Sequence, residues 1–158
     1  FLEHKWIYRR IKEIVSDDPD HLVPIGKADV KREGTDVSVI THGMMVHLAL
    51  EAAETLATEG IAVEVLDLRT VQPLDEEAIL GTVTRTSRAI VLSESQRYLS
   101  TAAEVASLIA EEAFESLDAP VVRLTPPHVP VPFSPPLEDA YLPQVSDIED
   151  AVRKLSAW

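Results

Sequence analysis

Cysteine is absent from the 158 residues, which excludes disulfides, thiolate metal sites, iron–sulfur ligation and a cysteine nucleophile. Glycine is scarce. Its five residues are scattered, with neither the spacing of a dinucleotide fingerprint nor that of a Walker loop. Positive charge is short as well: 14 Lys and Arg stand against 27 Asp and Glu, a formal charge of −13, and that field opposes the counterion release on which nucleic-acid binding depends. No apolar run approaches the ~20 residues of a membrane-spanning helix, and no basic-then-apolar leader opens the chain. The expectation is a soluble chain with neither nucleic acid nor membrane among its partners. An initiator Met is missing too. Phe1-Leu2-Glu3 begins in mid-pattern, as expected of a piece of a longer protein.

What remains is enough for one ordinary domain with a proper core. Its organising stretch is residues 60–74: a Gly able to close a helix, the apolar run Ile61-Ala62-Val63-Glu64-Val65-Leu66, then Asp67, Arg69 and Thr70 where the strand leaves the sheet, and Pro73, which cannot continue inside one. In open α/β sheets the carboxyl ends of parallel strands are where ligands and partners are met.

Residues 1–10 mix apolar and basic side chains and residues 12–24 are polar with a turn signal at Ser16-Asp17-Asp18-Pro19-Asp20, so they read as tail and linker. A short strand is expected within 23–33, ended by Gly34, and a buried one at Val37-Ser38-Val39-Ile40-Thr41. From Met44 the period becomes helical through Val46, Ala49, Leu50, Ala53, Leu56 and Ala57, with Gly60 as the closing residue. Asp75-Glu76-Glu77 supplies an acidic first turn to a second helix, Ala89-Ile90-Val91-Leu92 a further strand, and Ser100 or Thr101 the cap of a third helix. After the strand Val121-Val122-Arg123-Leu124-Thr125 come seven of the eleven prolines, Pro126 to Pro143, expected as an extended surface arm. A last helix is expected from Ser146, with Glu149 completing a capping box. Alternating strands and helices predict an α/β fold with a mainly parallel sheet covered on both faces.

Chemistry is thin along this frame. Thr41-His42-Gly43-Met44 runs from strand to helix, where amides can hold an anion, but one Gly at such a turn is ordinarily structural. His42 and His47 are five apart and miss the spacing of a zinc pair, while His4, His21 and His128 fall where an exposed His is the default. Asp67 and Arg69 read as parts of a structural ion pair, and Glu94 ends its strand on the same sheet edge. All three are candidates for a subunit interface. Acid–base catalysis by Glu94 with Asp67 lacks an electrophile, nucleophile or cofactor cradle beside it. The competing functional class is an independent anion- or nucleotide-binding domain using the Gly43 turn and Arg69.

A set of motifs in order carries more than any of these. Phe1-Leu2-Glu3-His4-Lys5, Ile7-Tyr8-Arg9, Val23-Pro24-Ile25-Gly26-Lys27-Ala28, Lys31-Arg32-Glu33-Gly34-Thr35-Asp36-Val37, Asp67-Leu68-Arg69-Thr70, Leu117-Asp118-Ala119-Pro120 and Tyr141-Leu142-Pro143 together resemble the beta subunit of the thiamine-diphosphate-dependent 2-oxo acid dehydrogenase decarboxylating component. The resemblance covers essentially the whole chain, as the carboxyl-terminal half of that subunit. It implies a transketolase-type carboxyl-terminal domain: a three-layer α/β/α sandwich whose five-stranded mixed sheet has an antiparallel first strand. Residues 1–33 would be the end of the pyrimidine-binding domain, linker and edge strand, and 34–158 the carboxyl-terminal domain.

The same resemblance implies that thiamine diphosphate and magnesium serve the full enzyme between the alpha subunit and the amino-terminal domain of beta. No catalytic, cofactor-binding or metal-binding residue is then expected within this chain, which alone would be inactive as an oxidoreductase. Ser95-Gln96-Arg97-Tyr98-Leu99-Ser100-Thr101 lacks the glycine-rich turn of pyruvate-type subunits and is more similar to bacterial branched-chain (2-oxoisovalerate) versions, with pyruvate and acetoin dehydrogenases as alternatives. Implied partners are the alpha subunit, a second beta subunit and the lipoyl acyltransferase core, whose binding domain would meet Asp118 and the terminal carboxylate of Trp158. The setting implied is the cytoplasm of a bacterium or the mitochondrial matrix of a eukaryote.

Overall fold

The computed structural model describes residues 1–12 and 14–158, so that Glu13 of the expected linker lies outside the described residues. Strands β1 (Asp29–Arg32), β2 (Val37–Thr41), β3 (Val63–Asp67), β4 (Ala89–Leu92) and β5 (Val122–Leu124) form one sheet in the order β1-β3-β2-β4-β5. Four strands run parallel. β1 lies antiparallel to β3 at the edge, with Asp29 opposite Asp67, as the resemblance implies and the alternation of strands and helices alone does not.

Helices α1 (Met44–Thr58) and α5 (Val145–Ser156) cover one face, α2 (Glu76–Thr86) and α3 (Thr101–Glu112) the other. The layers follow from strand alternation, because successive side chains point to opposite faces. Val37, Val39, Val63, Val65, Ile90 and Leu92 pack against Met45, Leu56, Ile148 and Val152, while Ile40, Leu66, Ala89 and Val91 pack against Ile79, Val83, Val105 and Ile109. Each fully buried Val, Leu or Ile contributes about 1.5–3 kcal/mol. Two buried hydroxyls are absorbed in the second layer, where Ser38 Oγ meets Thr86 Oγ1 at 2.6 Å.

A buried charge shares this layer. Glu64, only 1% exposed at its side chain, alternates onto the α2 face, where Arg85 Nε and Nη2 hold its two oxygens at 2.9 and 2.8 Å. That two-pronged bond, reinforced by Coulomb attraction, raises the pKa of Arg85.

Helix ends are written locally. Gly60, at φ +85°, lets Ile61 N–H return to Leu56 O and Gly60 N–H to Ala57 O, a Schellman stop. Asp75 caps α2 through Ala78 N–H at 3.3 Å. Two expectations are corrected. The proline arm is not extended throughout, because α4 (Pro135–Tyr141) forms inside it: prolines at the first two helical positions forgo N–H groups that a helix start does not pair. The capping box of α5 lies between Gln144 and Asp147, not Ser146 and Glu149, since the helix begins at Val145 and places Asp147 third.

The step from β1 to β2 is tightly constrained. The two strands flank β3 on opposite sides, so residues 33–36 must pass over its start, where Thr35 and Asp36 N–H both reach Ala62 O and Asp36 Oδ2 accepts Ala62 N–H. A Cβ on Gly34 would stand 2.3 Å from Glu64 N and Val63 C. Farther along, the loop after β3 grips the lead-in to β1. Thr70 Oγ1 accepts Gly26 N–H at 3.0 Å, and the Asp75 carboxylate accepts Ala28 N–H at 3.1 Å with Lys27 Nζ at 3.5 Å. Burial by itself would raise the pKa of Asp75; the Ala28 and Ala78 amides and Lys27 outweigh it and hold the carboxyl below its ordinary 3.8.

Gly34→Ala is expected to lose at least about 3 kcal/mol in urea unfolding, because the colliding atoms are backbone and cannot rotate away. Asp75→Ala is expected to cost about 2 kcal/mol at neutral pH, through a lost cap and an unpaired Ala28 amide. A carboxyl with a depressed folded pKa contributes its stability above 3.8 and loses it as pH falls through the lower folded value. Urea midpoints at successively lower pH should therefore show the gap between wild type and Asp75→Ala narrowing in that window; a pH-independent gap would count against this assignment.

Candidate functional site

The carboxyl ends of β2, β3 and β4 bring Thr41-His42-Gly43, Asp67 to Thr70 and Ser93 to Ser95 to one edge. Gly43 starts α1 at φ 64°, ψ −134°, a conformation that favours glycine, and Glu94 Oε1 lies 3.9 Å from where its Cβ would be. His42 is half-buried there. Burial pushes its pKa below 6.5, partly offset by the nearby Glu94 and Asp67 carboxylates, so the imidazole is neutral at neutral pH. Thr41 Oγ1 is buried without a partner among the described residues.

Asp67 and Arg69 do not face a common ligand. Asp67 Oδ1 accepts the Arg69 N–H at 3.0 Å, which supports φ +53° at Arg69, and the guanidinium reaches Asp29 Oδ2 at 2.6 Å. Lys31 Nζ stands 2.8 Å from the same carboxylate and, with Arg69, holds the Asp29 pKa down. The expected ion pair is therefore an edge-strand clamp. Glu94 Oε2 instead meets His4 Nε2 at 3.1 Å, which ties the amino-terminal segment to this edge. His4 thus departs from the exposed default. Its role was illegible because 90 residues separate it from Glu94; the contacts of Asp29 with Arg69 and of Asp75 with Ala28, missed in the same way, span 40 and 47 residues.

The edge can exchange protons and hold a hydrogen-bond donor; it is poorly suited to a diphosphate. The Arg69 charge is already engaged by Asp29, Glu94 adjoins the Gly43 turn, and among the described residues no three His, Asp or Glu side chains are placed to hold a metal. These residues do not fit thiamine diphosphate and magnesium.

Asp118 and Trp158 sit on the opposite, amino edge. Asp118 precedes β5, donates its N–H to Ser87 O at 2.8 Å, and keeps an exposed carboxylate 3.6 Å from Arg88 Nη2. Trp158 follows α5, whose end is tied to the end of α1 by Arg153, bonded to both Glu59 oxygens at 2.9 and 2.7 Å and to Glu149 at 3.0 Å. The Trp158 side chain is largely exposed. The five candidate residues therefore form two sets, Asp67, Arg69 and Glu94 on one edge, Asp118 and Trp158 on the other.

Curated relatives align along the whole chain. It is 46% identical over 159 aligned residues to the 2-oxoisovalerate dehydrogenase subunit beta of Bacillus subtilis, covering 100% of this chain and 48% of that protein. It is 46% identical to the pyruvate dehydrogenase E1 component subunit beta of the same organism, covering 98% and 47%. It is 44% identical to the acetoin:2,6-dichlorophenolindophenol oxidoreductase subunit beta of Cupriavidus necator, covering 98% and 45%. The chain thus spans about half the length of the relatives it matches. Among solved structures, a split-gene transketolase described as an inactive beta4 tetramer superposes with a TM-score of 0.77 at 30% identity, over 93% of this chain and 46% of that one. The pattern of the transketolase C-terminal domain matches residues 26–148, and with that match extending over most of its length the chain belongs to the transketolase C-terminal domain family.

Proposed function

We propose that the chain is the carboxyl-terminal assembly domain of the beta subunit of a 2-oxo acid dehydrogenase decarboxylating component, with residues 1–33 contributing the end of the preceding domain, the linker and the edge strand. The observation that carries this reading is near-equal identity, along the whole chain, to beta subunits named for three different dehydrogenases. Oxidative decarboxylation and acyl transfer to lipoyl groups belong to the complete heteromer, and thiamine diphosphate with magnesium to its other parts. Branched-chain 2-oxo acids are the preferred substrate class because of the glycine-free turn at residues 95–101; identities of 44–46% favour no substrate over another.

The surface supports a role in assembly with an alpha subunit and a second beta subunit. Val131, Phe133 and Leu137 of the proline-rich arm are 68%, 98% and 59% exposed, apolar side chains on which a subunit contact would draw. For the lipoyl acyltransferase, the amino edge is the better dock: Asp118 and the Trp158 carboxylate share it, and a charge of −13 steers a basic partner.

The acyltransferase's peripheral binding domain is expected to bind this chain with an affinity that falls as salt rises. Asp118→Ala combined with an amidated Trp158 should weaken binding about tenfold or more while leaving the thermal unfolding curve unchanged. Asp67→Ala and Glu94→Ala, on the other edge, should have no effect on it. Unchanged affinity in the double variant at low salt would move the dock elsewhere.

A further inference from the structure

Arg69, Arg85, Arg88 and Arg153 each face a carboxylate, at 2.6 to 3.6 Å. Arg97 and Arg123 are held differently, by each other's backbone. Arg97 sits in the loop between β4 and α3 and Arg123 in the middle of β5, the edge strand at the far side of the sheet from β1. Their side chains cross: Arg97 Nη1 donates to Arg123 O at 3.5 Å and Arg123 Nη1 to Arg97 O at 3.3 Å. Among the described residues neither guanidinium has a carboxylate within ion-pair reach, in a chain carrying 27 of them. Glu94, three residues away, is turned to His4.

The place is built rather than incidental. Ser93 N–H donates to Leu124 O, so Leu124 pairs with β4 and, by strand alternation, the Arg123 carbonyl faces the free edge where Arg97 reaches it. The loop is fixed on either side of Arg97: Gln96 Nε2 donates to Val129 O at 2.7 Å, and Tyr98 meets His128 edge-to-face at 4.7 Å between centroids. Each guanidinium has five N–H donors, and a single long carbonyl bond occupies one of them. Two adjacent like charges repel, and what relieves the repulsion while using the free donors is an oxyanion seated between the forks.

We propose that Arg97 and Arg123 form a binding site for a small phosphoryl anion, such as the phosphate group of a low-molecular-weight metabolite. The anion is small because the surrounding charge of −13 repels an extended polyanion, whereas the field of two arginines acts within a Debye length of about 8 Å. The site lies at the β5 side of the carboxyl edge, two strands across from the Gly43 turn, and it does not depend on the assembly reading.

The test uses the chain itself, with its arginine Nε–H resonances followed by NMR in low-salt buffer while inorganic phosphate or pyrophosphate is added. Saturable shifts of the Arg97 and Arg123 side chains are expected, while Arg9 and Arg10 near the amino terminus move little. Arg97→Gln, an exposed loop change that leaves the backbone spectrum native, should lower affinity about tenfold or more, and Arg97→Lys should restore only part of it, since a lysine keeps the charge without the fork. Arg123→Gln should lose binding likewise. If Arg97 merely shields the free edge of β5, its resonance will be indifferent to phosphate or will drift linearly with Arg9 and Arg10, and the proposal falls. Equal affinity in Arg97→Gln overturns it as well.

Discussion

The passage of the chain over the start of β3, possible only because Gly34 has no side chain, determines where everything else can go. It puts β1 outside β3 and β2 inside, so that β2 becomes the central strand with every residue buried. With β2 central, β4 and β5 add on its other side and the four parallel strands end together. The carboxyl edge and its His42, Asp67 and Glu94 are consequences of that order. A hairpin would have placed β1 beside β2 and required no backbone contact of this kind.

Burial on both faces leaves little freedom for polar groups, and the exceptions are informative. Glu64 is retained in a layer of aliphatic side chains, where its pairing with Arg85 fixes α2 along the sheet by direction as well as by contact. Replacing such a pair with apolar residues is often neutral or stabilising in other proteins, so orientation is the better reason for it here than stability. Asp75 works in the same sense at the other end of α2, joining a helix cap to the lead-in of β1. Both carboxylates connect α2 to something distant in sequence.

Periodicity was enough to foretell β2, β3, β4 and the helices α1, α2, α3 and α5, because each carries a strong apolar repeat that tertiary packing merely confirms. A strand within 23–33 is legible from composition, but its antiparallel direction came from resemblance, since Asp29 to Arg32 is too short and too polar to announce it. The helix in the proline arm was hidden by composition: Pro135 and Pro136 look like breakers until their position at a helix start is known. Of the site, Arg69 was legible as an ion-pairing residue, but its partner Asp29 was not, and neither was the contact of His4 with Glu94. Contacts between residues forty to ninety positions apart leave no local trace.

The separation of the two edges has a consequence for how such a domain assembles. A five-residue strand holds them about 16 Å apart, with β2 and β4, buried on both faces, between them. Coupling between the edges would need an element between them with two discrete arrangements, and close-packed strands give little room for one. Ligands at opposite edges would then bind nearly additively, each contributing its own free energy whether or not the other edge is occupied.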